Sequence, residues 1–260
     1  MTCQDIINKL NAYSPEQYAC DWDNVGLQIG DHNREVKSVF IALDPSDLAV
    51  EEAVRLKADL LLTHHPLLFQ GLKRINQDDF IGRRVIKLIE NQIGYYAMHT
   101  NFDVSHMGDV AANRIELKNT EVLEVTKEEQ NVTMGIGRVG NFQKEMLLSE
   151  CASLVKDKFS LEHVKVYGDL EKKINRAAIC PGSGKSLISE VLMSKADVYI
   201  TGDVDHHEGI DLVARNVCVI DGGHYGIEKL FIPHMADFFQ KEMPQINVFF
   251  LNSENPFQIL

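Results

Sequence analysis

The feature that most restricts the fold of this chain is the repeated alternation of short apolar runs with segments of helical periodicity. Val39-Phe40-Ile41-Ala42-Leu43 is an apolar run closed by Asp44-Pro45, and Leu48, Ala49, Ala53, Val54 and Leu56 then recur at helical spacing. Leu60-Leu61-Leu62-Thr63 and Tyr95-Tyr96-Ala97-Met98-His99 are two more strand-like runs, with Ile81, Val85, Ile86 and Ile89 marking a helix between them. The second half predicts strands near 164–167, 177–180, 198–201 and 217–220, and helices over 186–195 and 205–215. Strand, helix, strand in this order predicts an α/β fold with mainly parallel or mixed sheets and helical crossovers.

The halves also share a frame. Lys57-Ala58-Asp59-Leu60-Leu61-Leu62-Thr63 and Lys195-Ala196-Asp197-Val198-Tyr199-Ile200-Thr201 both read K-A-D, three apolar residues, T, and a His-His pair follows each. That points to an internal duplication. A chain of 260 residues has room for two ordinary domains. The polar stretch from Glu116 to Gln130, followed by Gly135-Ile136-Gly137-Arg138-Val139-Gly140, is the expected crossing between them. The expected division is 1–125 plus 222–260 for one α/β domain and 126–221 for the other.

Composition removes several function classes. Hydrophobic residues make up 45% of the chain, yet no apolar run approaches the ~20 residues of a membrane helix. Met1-Thr2-Cys3-Gln4-Asp5-Ile6-Ile7 reads as the start of an amphipathic helix rather than a secretory signal, so the expected location is cytoplasmic. Cys3, Cys20, Cys151, Cys180 and Cys218 are widely spaced, with no Cys-x-x-Cys pair, and are expected as small buried residues. A net charge of -12 is the wrong sign for neutralising phosphates over a broad surface, so nucleic acid is not the expected partner, local basic pairs at Lys73-Arg74 and Arg83-Arg84 notwithstanding.

The chemistry gathers at strand ends. His64-His65-Pro66 directly follows an apolar strand, where loops at the carboxyl edge of a sheet carry function. Neighbouring side chains on a strand face opposite ways, so both imidazoles can serve one site only if the backbone turns there, and they would naturally face two different ions. Asp103 follows the strand that ends near His99. In Asp221-Gly222-Gly223-His224-Tyr225-Gly226-Ile227-Glu228 a strand ends in a Gly-Gly turn, and His224 and Glu228 stand four residues apart on one helix face. Three histidines and two carboxylates are too many for one open catalytic ion. They suit two divalent ions about 3.5–4 Å apart, with zinc, iron or manganese all acceptable to such donors.

Asp21-Trp22-Asp23-Asn24-Val25-Gly26-Leu27-Gln28-Ile29-Gly30, Thr63-His64-His65-Pro66, His99-Thr100-Asn101-Phe102-Asp103, Pro181-Gly182-Ser183-Gly184, Thr201-Gly202-Asp203 and Gly223-His224-Tyr225-Gly226-Ile227-Glu228 together resemble the Nif-three-like family, hexameric proteins with a dinuclear metal centre that carry the name GTP cyclohydrolase 1 type 2. The resemblance runs from about residue 20 to 230. It implies two interlinked α/β domains with mixed sheets flanked by helices, a metal site between them, and a toroidal homohexamer. It further implies that His65 and Asp103 hold one ion, that His64 and His224 hold the other, and that Glu228 bridges. The short length implies a form without the large mid-chain insertion of some members.

The mechanism that follows is hydrolytic. A water bound by two cations has its pKa lowered from about 15.7 toward roughly 7, and the resulting hydroxide would attack, under the cyclohydrolase reading, the C8 carbon of a purine nucleotide such as GTP. His99 or His207 would move protons, and Asp203 and His206, with His207, would support the ligands from behind or contact substrate. The alternative is a ring that binds metal without catalysis, as a sensor, a store or a scaffold for a protein partner. Gly182-Ser183-Gly184-Lys185-Ser186 looks like the end of a P-loop, but Ile179 stands where that motif needs its first glycine, so only a general anion-binding turn is expected there. Trp22, the sole tryptophan, is expected to pack a domain seam, with base stacking as the other reading.

Overall fold

The apolar runs become the buried centres of two separate mixed sheets. The computed structural model describes residues 1–129, 132–251 and 255–259. Its chain divides into one unit of Met1–Phe102 with Phe231–Glu254 and another of Asp103–Leu230 with Asn255–Leu260. Relative to the division expected from sequence, the first crossing falls at the end of a helical turn rather than near 125, and the second falls near 230 rather than 221.

The first unit holds α1 (Cys3–Tyr13), β1 (Gly26–Ile29), β2 (Ser38–Ala42), α2 (Asp47–Arg55), β3 (Leu60–Thr63), α3 (Phe80–Glu90), β4 (Gly94–Ala97) and a single turn, α4 (Thr100–Phe102). The chain later returns to it with α10 (Phe231–Glu242) and β11 (Asn247–Phe250). The sheet order is β1-β4-β3-β2-β11, parallel throughout except for β1. Every residue of β2, β3 and β4 is buried, which is why these strands read as unbroken apolar runs: helices cover both faces of a parallel sheet. Asp44-Pro45 ends β2, and the Ser46 side chain then accepts from the Ala49 N–H to start α2.

The second unit opens with a π-helical turn at Asp103–Met107 and α5 (Gly108–Arg114). It continues through β5 (Lys118–Glu129), β6 (Val132–Leu147), α6 (Leu148–Phe159), β7 (Lys165–Tyr167), β8 (Lys173–Ser183), α7 (Ile188–Met193), β9 (Val198–Gly202), α8 (His206–Ala214), β10 (Cys218–Asp221) and α9 (His224–Glu228). The sheet order is β5-β6-β8-β9-β10-β7. The stretch expected as an inter-domain crossing is instead the long edge strand β5, paired antiparallel with β6; Gln130 lies outside the described residues. Its polarity has a physical reason: an edge strand with one solvated face carries charge, which blocks pairing with other chains. Only Leu123 of β5 is buried.

The shared K-A-D frame is a structural repeat. Lys57 and Lys195 both take left-handed backbone, at φ 53° and 57°, where a helix ends. Ala58 and Ala196 are buried. Asp59 Oδ2 accepts from the N–H groups of Lys37 and Ser38, and Asp197 Oδ2 accepts from those of Asn175 and Arg176, so each aspartate ties down the start of the neighbouring parallel strand. Each unit then repeats a parallel triplet, β2-β3-β4 and β8-β9-β10, with an antiparallel strand added beyond its last member. All five cysteines are free thiols, and four of them are buried.

Candidate metal centre

In the first unit the turn after β3 brings both adjacent imidazoles to one place. The N–H groups of His64 and His65 both donate to the Leu43 carbonyl at the end of β2, at 3.1 and 3.0 Å, so the backbone leaves strand geometry as soon as Thr63 is passed. Thr63 Oγ1 donates to the His65 carbonyl at 2.7 Å and tightens the same turn. The His64 and His65 ring centroids stand 5.1 Å apart, and His99, from the turn after β4, joins them at 5.3 and 5.5 Å. One ring nitrogen from each of the three lies within 4.8 Å of the others. His99, expected as a proton carrier, therefore sits with the donors themselves.

The second unit assembles the carboxylates. Gly223 caps α9, and His224 Nε2 lies 3.0 Å from Glu228 Oε2 across one helical turn, as the four-residue spacing requires. A carboxylate oxygen of Asp103 comes within 4.8 Å of one from Glu228. Glu228 is only 4% exposed, and burying a carboxylate is costly unless cations or donors face it. The strand β8 is shaped for it: Gly182 has φ +72°, and a Cβ there would collide with Glu228 Oε1. Gly182 of the Pro-Gly-Ser-Gly motif thus leaves a cradle for an acid side chain. Burial first, and then the negative charges of Asp103 and Glu228, push the Cys180 thiol far above its ordinary pKa, so it is a neutral wall of the site.

The four histidines share one orienting device. His64 Nδ1 is 2.7 Å from the Met98 carbonyl, His65 Nδ1 is 2.7 Å from Asp44, His99 Nδ1 is 2.9 Å from Asp23, and His224 Nδ1 is 2.7 Å from Asp203. Carbonyl and carboxylate oxygens only accept, so Nδ1–H of His64, His65 and His99 donates and turns Nε2 toward the site, whereas His224 meets a carboxylate at each ring nitrogen, Asp203 at Nδ1 and Glu228 at Nε2. This is the arrangement by which proteins orient metal-binding imidazoles, and it means the donor set fits the ions that the family resemblance implies. Asp23 is itself fixed: burial pushes its pKa up, but hydrogen bonds from His99 and Thr100 outweigh that and hold it at about 2, so it is an anion at neutral pH.

Three of the orienting groups, Asp44, Asp23 and the Met98 carbonyl, were not singled out for this role from sequence. Asp44 had a readable signal, since it ends the strand beside β3 and so shares the rim with His65. Asp203, expected to stand behind the ligands or to contact substrate, lies against His224 Nδ1. His206 and His207 sit exposed in the first turn of α8, behind the capping residue Asp205, with their rings 5.3 Å from each other. Among the described residues, no metal-sized donor group includes either one. Lys185, the lysine of the P-loop-like stretch, is paired with Asp205 and Glu208. Among the described residues, no helix is long and apolar enough to cross a membrane.

Known proteins match along the whole chain. The family model described as Duf34/NIF3 (NGG1p interacting factor 3) matches residues 1–256. A Clostridium perfringens protein named GTP cyclohydrolase 1 type 2 homolog is 31% identical over 263 residues, covering 100% of both chains. A Lactococcus lactis protein of the same name is 35% identical over 242 residues, 91% of each chain. Among solved structures, Staphylococcus aureus protein SA1388 matches with a TM-score of 0.89 at 28% identity, over 100% of this chain and 99% of that one. A Bacillus cereus protein related to NIF3 matches with a TM-score of 0.91 at 24% identity over 100% and 99%, a likeness of fold.

Proposed function

We propose that this chain, which belongs to the Duf34/NIF3 family, is a metal-dependent hydrolase that holds two divalent cations per subunit on His64, His65, Asp103, His224 and Glu228. The observation that carries this reading is the common orientation of its histidines, each with Nδ1 held by an acceptor-only oxygen and Nε2 turned toward the other candidate donors. Surface histidines have no reason to share that pattern. By the motifs they match, His65 and Asp103 serve one ion, His64 and His224 the other, and Glu228 both; zinc, iron and manganese all suit such donors. Bound there, two cations would supply Lewis acidity, lowering the pKa of water toward roughly 7 and polarising the group under attack.

The chain's own residues supply the rest. Met98, Asp44 and Asp203 keep the imidazole rings of His64, His65 and His224 aimed. His99, anchored by an ionised Asp23, is placed to bind an ion or to hold a proton at Nε2 for a leaving group. Relatives named GTP cyclohydrolase 1 type 2 homolog make GTP the first substrate to try, with hydrolysis at C8 of the purine. The assembly that goes with this reading is a homohexameric ring.

The test is elemental analysis together with turnover of GTP and a panel of phosphoesters by metal-loaded wild type, His65→Ala and Glu228→Ala. We expect two equivalents of metal per wild-type chain, and loss of both metal and turnover in the variants. Undiminished metal in both variants sinks the ligand set. Metal retention by the wild type without turnover of any substrate sinks the hydrolase reading and leaves a metal-binding ring.

A further inference from the structure

Trp22 is 60% exposed and Phe69 is 48% exposed, an unusual condition for two large aromatics that touch. Their ring centroids lie 5.8 Å apart with the planes tilted by 48°. The other edge of Trp22 meets His99 at 6.0 Å in a T-shaped contact, so the aromatic pair directly adjoins the imidazole trio. Neither aromatic is loosely hung. The Asn24 side-chain amide donates to the Leu68 carbonyl, Gln28 Oε1 accepts from the Leu68 N–H at 2.8 Å, and Gln28 Nε2 donates to the Asn24 carbonyl at 2.6 Å. These bonds tie the Trp22 turn to the segment carrying Phe69, beside β1 in the same unit. The Asp21-Trp22-Asp23-Asn24 motif thus does two things: Asp23 orients His99, and Asn24 fixes the aromatic shelf next to it.

We infer that Trp22 and Phe69 form a stacking shelf that receives the planar nitrogen-heterocyclic ring of a small-molecule ligand and presents it to the His64, His65 and His99 cluster. A sandwich is ruled out by size, because a ring inserted between two others needs about 7–8 Å between them at normal contact distance. The tilted pair offers instead one face to stack on and one edge to abut. A heteroaromatic ring suits this better than an aliphatic one, since stacking adds attraction beyond area burial. A purine also suits a chain of net charge -12, because stacking is indifferent to the anionic field that repels phosphates elsewhere. Lys73 and Arg74, exposed on the loop that leaves Phe69, are the cations within that same segment. The inference deepens the proposed function and rests on it for the fate of the bound ligand, though binding to the shelf itself requires no metal.

Trp22 is the only tryptophan, so its emission reports on the shelf alone. The experiment titrates guanosine monophosphate, adenosine monophosphate and ribose 5-phosphate into the full-length protein, metal-free and metal-loaded, while following tryptophan fluorescence. Calorimetry measures binding to Trp22→Phe, Trp22→Leu and Phe69→Ala. We expect saturable quenching by the purine nucleotides and none by ribose 5-phosphate. Trp22→Phe should bind like wild type, while Trp22→Leu and Phe69→Ala should weaken binding by roughly 5- to 150-fold, the range for loss of one base–aromatic stack. Metal content should match wild type in all three variants.

Three results overturn the inference: no saturable quenching in either metal state, equal binding by Trp22→Leu and wild type, or a blue-shifted emission that grows with protein concentration, which would show a second copy covering the shelf. Failure of the metal-centre reading looks different, with nucleotide quenching intact in a protein that binds no metal.

Discussion

Gly182→Ala separates the cradle reading of the Pro-Gly-Ser-Gly segment from a merely structural one. At φ +72° an alanine carries the left-handed penalty of about 1–2 kcal/mol. For a chain of this size that corresponds to a melting shift of roughly 2–8 °C for the metal-free protein. The second effect is local. The new Cβ would occupy the place of Glu228 Oε1, and Glu228, 4% exposed, has little room to swing away. A displaced donor carboxylate should cost at least what loss of an orienting partner costs, about 10- to 100-fold in metal affinity. Gly71→Ala is the matched control, because a Cβ there meets nothing within 4 Å. The assay is chelator competition for zinc and manganese beside thermal melts of the metal-free proteins. If Gly182→Ala melts lower yet binds metal as tightly as wild type, the strain argument survives and the cradle argument is refuted.

Three further outcomes follow from the same geometry. Asp203→Ala removes the acceptor that fixes the His224 ring from an exposed position, and should lower metal affinity about 10- to 100-fold in chelator competition while leaving the metal-free melt nearly unchanged. Asp23 is held at about 2 against an ordinary 3.8, so the folded state binds its proton more weakly than the unfolded one. Its contribution of about 2 kcal/mol is therefore complete above roughly pH 4 and drains away as pH falls toward 2, and the urea midpoints of wild type and Asp23→Asn should differ at pH 6 and converge only near pH 2. Arg138, 5% exposed, donates to both oxygens of Asp109 at 2.6 and 2.8 Å and to the Gly135 and Gly137 carbonyls at 2.8 Å. Arg138→Met should cost roughly 2–4 kcal/mol in urea titration, with Arg138→Lys recovering only part because an ammonium cannot span the same fork.

What the sequence conveyed about the site follows from what each kind of signal encodes. His64, His65, His224 and Glu228 were legible because their placement depends on local rules alone: a strand end, a proline and a four-residue spacing. Asp44 and Asp23 were harder, because knowing that they orient His65 and His99 requires knowing that β2 lies beside β3 and that the turn before β1 lies over the start of α4. Those are facts of sheet order rather than of local pattern. Trp22 was left with two readings for a related reason. Hydrophobicity predicts burial on average, and a large aromatic left 60% exposed can be recognised only once its neighbours are in place. The β5 edge shows the converse, where composition typical of a linker came from solvent on one face of a genuine strand.

The repeated K-A-D frame shows why the two halves carry different donors despite a common scaffold. In both, a lysine in left-handed backbone, a buried alanine and a strand-tying aspartate deliver a parallel strand whose fourth residue is a threonine. After Thr63 the next residue is an imidazole donor, whereas after Thr201 it is Gly202. The reason lies in packing at that second position: a Cβ on Gly202 would collide with the backbone nitrogen of His224 and approach the Gly223 carbonyl carbon to 2.6 Å. The turn that starts α9 has taken the space that a side chain would need, so the second copy cannot present a histidine at the strand end. It presents His224 from the incoming helix instead, and places Asp203, one residue later, to orient it. On this argument Gly202→His cannot recreate a His64-like donor. It should instead push α9 off the strand and destroy metal binding through His224 and Glu228, an outcome that chelator competition and a melt of the metal-free variant would distinguish from a simple gain of a ligand.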